Sequence, residues 1–114
     1  MPPLTDPAVL AQFQKVLAEW NCTGYITAKE VARHWITNQL GGLNLKAVAK
    51  AMHDFLQQGG MIDQVKETRP EWSAWPHHYD FRLLLAGRSI YIETVLQDDD
   101  PNDPTIEIVS IHDV

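Results

Sequence analysis

Three side chains in the second half of the sequence have the chemistry of a phosphodiester-cleaving site. Arg82, Glu93 and His112 each fall in a run that alternates apolar and polar residues, and such runs form strands whose polar residues share a face. Joined by His77 or His78, they would supply the phosphate-binding cation, the acid and the base of a small sheet-borne ribonuclease. A plainer role suits them too, since Arg82 facing Glu93 across a hairpin is an exposed ion pair of little energetic weight.

The other reactive residue types lack the spacing that their chemistry needs. His34, His53, His77, His78 and His112 include no HExxH pair and no Cys/His ligand set, so no metal site is expected. The run Asp98 to Asp103 repeats oxygen donors in the manner of a calcium loop, but it has Asp103 where the sharp turn needs glycine and Val109 where the bidentate glutamate would stand. Cys22 has no histidine near it in sequence to activate it. There is no glycine-rich phosphate or dinucleotide loop, so neither a catalytic set nor a cofactor is assigned.

A different kind of site is suggested by Trp72, Trp75, His77, His78 and Tyr79, which crowd into a Pro-containing loop. Tryptophan and tyrosine dominate binding hot spots because they offer large rigid surfaces at small entropic cost. These residues are the candidate partner-binding set, although a single domain without disulfides gains most by burying large aromatics, which favours a lid folded over one end of the core.

The chain has 114 residues, the size of one domain, so residues 1–114 are expected to fold as a unit, with a helical part over 6–60 and a β-rich part over 61–114. The lone cysteine, the absence of a long apolar run and the composition of the first residues point to a cytoplasmic protein without a membrane segment. Its net charge of −6 is unevenly spread. Residues 1–60 carry five Lys or Arg against four Asp or Glu, whereas residues 61–114 carry four against eleven. Close approach of a nucleic acid would thus be confined to the first half and its immediate neighbour.

Asp6-Pro7 starts a first helix that runs to about Trp20, with Val9, Leu10, Phe13, Val16, Leu17 and Trp20 on its apolar face. Thr27 to Glu30 fits a capping box for a second helix ending near Gln39 before Gly41-Gly42. Asn44 caps a third, which Gly59 terminates. Met61 to Lys66 reads as a short strand. Tyr79 to Ala86 and Ser89 to Leu96 read as a hairpin turning on Gly87-Arg88, with Arg82 opposite Glu93, and Thr105 to His112 as a last strand.

Three helices followed by strand, loop and strand resemble a winged helix, the helix-turn-helix variant with a β-hairpin wing. The resemblance is carried by Ile26 to Ala32 in the second helix and by Leu45 to Met52 through Gln58 to Ile62 at the third helix and its exit, and it spans about residues 6–86. It implies a winged-helix-like front, and with the last strands, which it does not reach, the expected fold is α+β with a three- or four-stranded antiparallel sheet extending from the wing. It also implies that Lys46 and Lys50 on the third helix, with Lys66 and Arg69 in the wing, would contact DNA. With so few cations on those elements, the expected function is a small non-enzymatic adaptor or regulator whose partner is protein rather than DNA. A homodimer is compatible with the sequence. A DNA-binding transcriptional regulator is the first alternative, and a toxin-like ribonuclease the second.

Overall fold

The computed structural model describes residues 2–22, 24–97 and 102–114, and the run Asp98 to Pro101, with most of the calcium-like loop, lies outside them. Three helices, α1 (Pro7–Ala18), α2 (Glu30–Gln39) and α3 (Leu45–Gln57), accompany five strands, β1 (Ile26–Ala28), β2 (Asp63–Lys66), β3 (His77–Leu85), β4 (Arg88–Gln97) and β5 (Thr105–Asp113). The fold is α+β, and its sheet is five-stranded in the order β1-β5-β4-β3-β2. Strand β1 runs parallel to β5 and the other pairs are antiparallel, so the expected three- or four-stranded antiparallel sheet is corrected to a five-stranded mixed one.

Strand alternation divides the sheet into two faces of different chemistry. Tyr79, Phe81 and Leu83 on β3, with Ile90, Ile92 and Leu96 on β4, share the main core with α1, α2 and α3. Phe13 of α1 meets Tyr79 edge-on at 5.0 Å, and Phe55 of α3 lies 6.0 Å from Phe81. The intervening positions, His78, Asp80 and Arg82 on β3 and Tyr91, Glu93 and Val95 on β4, point away from the helices. Val95 is nevertheless fully buried and stands apart from the main core, which means that something covers this outer face.

Local chemistry explains most boundaries. Asp6 and Asn44 cap their helices through side-chain bonds of 2.9 Å from Ala8 N and Ala47 N. Thr27, however, lies in β1 opposite Glu107, and Lys29 takes the N-cap of α2 without a side-chain bond. The capping box is overridden because Lys29 N donates to Ile108 O (2.9 Å), binding this stretch to β5.

The hairpin turns one residue earlier than the sequence suggests. Leu85 pairs with Arg88, Arg82 with Tyr91 and Asp80 with Glu93. Ala86 and Gly87 both take positive φ, 54° and 74°, the backbone that a two-residue type I′ turn demands. The register therefore slides by two, which keeps every side chain on its face but separates Arg82 from Glu93.

Candidate functional site

Residues 67–76 leave β2, cross the outer face and return to β3 as a closed strap. Its ends are joined by Glu67 N donating to Pro76 O (3.0 Å), as in an Ω-loop. The Glu67 carboxylate organises the first turn by accepting from Thr68 N (3.1 Å), Arg69 N (2.9 Å) and Arg69 Nε (2.9 Å) through Oε1. Its Oε2 accepts from Arg69 Nη2 at 2.9 Å. The same Nη2 donates to Glu93 on β4, which fastens the strap to the middle of the sheet. Pro70 then sets a 3₁₀ turn to Trp72, and Trp75 N donates to Trp72 O (3.0 Å).

That folding places the two indole rings 5.4 Å apart on a part-exposed surface. Lys29 lies over Trp72 from the β1 side of the sheet, its Nζ 5.2 Å from the ring centre and 3.6 Å from Glu107. The strap therefore spans from the β2 side to the β1 side of the sheet, and Val95 lies buried on the face that it crosses.

Below the strap sits a cluster of ionisable groups. His78 Nδ1 lies 2.8 Å from Asp80 Oδ1, and Asp80 faces Glu93 across the ladder. The Asp80 side chain is fully buried, while those of Glu67, Glu93 and His78 are 3%, 9% and 12% exposed. Hydrogen bonds from Arg69 hold the Glu67 carboxyl down at about 2. Burial, followed by the Asp80 carboxylate, pushes the Tyr91 phenol up, so it stays protonated at neutral pH. Beyond the strap the outer face is open, with the Arg82 guanidinium 5.4 Å over the Tyr91 ring and His112 stacked on that ring at 4.8 Å.

The five aromatic and imidazole candidates divide between two sides of the sheet. Trp72 and Trp75 form the strap surface, whereas Tyr79 packs into the core on Phe13. His78 is committed to Asp80, and His77 lies 6.4 Å from the Tyr79 ring. The four cations of the DNA alternative are also dispersed. Lys46 and Lys50 belong to α3, on the helical side, with Lys50 bonded to Asp54 at 2.9 Å; Lys66 ends β2; and Arg69 is held on the other face by Glu67 and Glu93. Arg82, Glu93, His112 and His78 do share the outer face, yet Arg82 pairs with Asp63 and Glu93 with Arg69. Cys22 is exposed, and a bond to Glu19 raises its thiol, which disfavours the thiolate.

Sequence reasoning missed Glu67, Asp80 and Tyr91. The signal was present for two of them: Asp80 and Tyr91 are polar positions of the same parity as Arg82 and Glu93 in strands otherwise apolar. Comparison of the chain with protein-family models, curated proteins and solved structures finds no match.

Proposed function

We propose that this chain is a cytoplasmic, non-enzymatic interaction protein that presents Trp72 and Trp75 to a protein partner. The observation that carries the reading is the anchoring of the tryptophan strap by Glu67, Arg69 and Glu93. Burying ionised groups costs several kcal/mol each, so such a cluster is a poor source of stability by itself. Its consequence here is a loop held in one shape, and a preordered loop spends less entropy on binding. Two part-exposed indoles on a rigid support have the composition of a hot spot. The near-complete burial of Glu67, Asp80, Glu93 and His78 beneath the strap favours binding over catalysis.

In this reading the order α2, α3, β2, β3 is a winged-helix-like front whose wing loop has become the strap. A second reading has one supporting observation: Arg82, Tyr91 and His112 are stacked on the open part of the same face, the arrangement from which a ribonuclease would bind phosphate and transfer protons. Affinity capture from source lysate, with and without nuclease treatment, separates the readings. The proposal expects a nuclease-resistant protein that is lost with Trp72→Ala or Trp75→Ala. Incubation with single-stranded RNA expects no cleavage, and cleavage abolished by His112→Ala would establish the second reading.

A further inference from the structure

We propose that Glu67, His78 and Glu93 bind a divalent first-row transition metal ion, zinc being the first candidate, with Asp80 as the carboxylate that positions the histidine. An oxygen of each glutamate and a ring nitrogen of His78 lie within 4.8 Å of one another. Tetrahedral zinc, with bonds of about 2.0–2.2 Å, holds its ligands about 3.4 Å apart. Rotation of the two glutamate side chains, once Arg69 releases them, covers that difference.

The surroundings of His78 supply a second, independent argument. Its Nδ1 is occupied by Asp80, which leaves Nε2 for an ion. A carboxylate on the far nitrogen is what fixes the tautomer and orientation of a metal-ligating imidazole and raises its basicity. An imidazole beside two carboxylates also suits zinc or iron better than magnesium or calcium, which prefer oxygen alone.

Charge balance points the same way. Glu67, Asp80 and Glu93 bring three carboxyl groups to this cluster, and among the described residues Arg69 is the one guanidinium bonded within it. Three carboxyl groups against one guanidinium, among side chains that are almost wholly buried, is a shortfall of cations that burial makes costly. A divalent cation closes it.

Arg69 is the group that must yield, because its guanidinium bridges the two glutamates. Its side chain is 38% exposed, so it can turn outward to water as the ion enters. Metal and Arg69 therefore compete, and an ion held by Glu67 and Glu93 would take the place of Arg69 in tying the strap to the sheet.

Calorimetric titration of zinc into the intact chain tests this, with cobalt as a visible-absorbing probe. One ion per chain is expected. His78→Gln and Glu93→Gln should each weaken uptake at least about tenfold, Asp80→Asn about 10- to 100-fold, and Arg69→Gln should tighten it. His34→Gln, on the exposed face of α2, should leave uptake unchanged. Crystals of zinc-loaded wild type locate the ion by anomalous scattering without any variant, and the peak should lie between Glu67, His78 and Glu93. Failure of the wild type to take up one equivalent, uptake indifferent to His78→Gln and Glu93→Gln, or a peak elsewhere would overturn the proposal.

Discussion

Arg69 on the strap and Glu93 on β4, 24 residues apart in sequence, share a hydrogen bond that ties the loop between β2 and β3 to the middle of the sheet. The bond has a measurable weight because Glu93 is only 9% exposed. Glu93→Gln should lower stability by about 1.5–3 kcal/mol, the range for a hydrogen bond to a charged group. It should also open residues 67–76 to proteolysis before the rest of the chain. Denaturant unfolding and timed digestion with mass mapping check both parts, and a digestion pattern like that of the wild type would detach Glu93 from the strap.

The anchoring carries a signature on acidification. Glu67 has a folded-state pKa of about 2 against an ordinary value of 4.5, so the unfolded chain binds its proton more readily. The stability that it contributes is complete above about pH 4.5 and is lost as pH falls toward 2. Arg69→Gln removes the cause and should flatten that limb of the stability profile. Urea unfolding of the two proteins at a series of acidic pH values is the measurement.

Elements whose rules are local could be read from the sequence. Asn44 and Asp6 cap helices because the orphan amides lie within a few residues, and the apolar alternation of β3 and β4 sets their inner face without knowledge of the partner strand. Thr27 was misassigned because its competing interaction comes from β5, about eighty residues away, and a parallel pairing leaves no turn in the sequence to announce it. The site was legible by residue type but not by contact. Glu93 was visible as a reactive carboxylate, while its partner proved to be Arg69, which depends on the path of a loop. That Tyr79 serves the core and His78 the outer face follows from alternation alone, once β3 is taken back to His77.

The hairpin turn offers a test of the revised register. Ala86 bears a φ of 54°, a conformation that costs an ordinary L-residue energy and that asparagine tolerates far better. Ala86→Asn should stabilise the domain by about 0.5–1 kcal/mol. If the turn centred on Gly87-Arg88 instead, the same change would give no gain in the denaturation midpoint.

The central claim is that the anchored strap makes Trp72 and Trp75 a protein-binding surface, and the most direct measurement is a titration of the captured protein against a small set of variants. Trp72→Ala and Trp75→Ala should each cost about 2 kcal/mol or more, as expected of hot-spot residues, and Glu93→Gln should weaken binding by less, through loss of order in the strap. Lys46→Ala and Lys50→Ala on α3 should bind as the wild type does, at low and at high salt. Tryptophan variants that bind normally, beside lysine variants that fail in a salt-dependent way, would contradict the account and move the binding surface to α3.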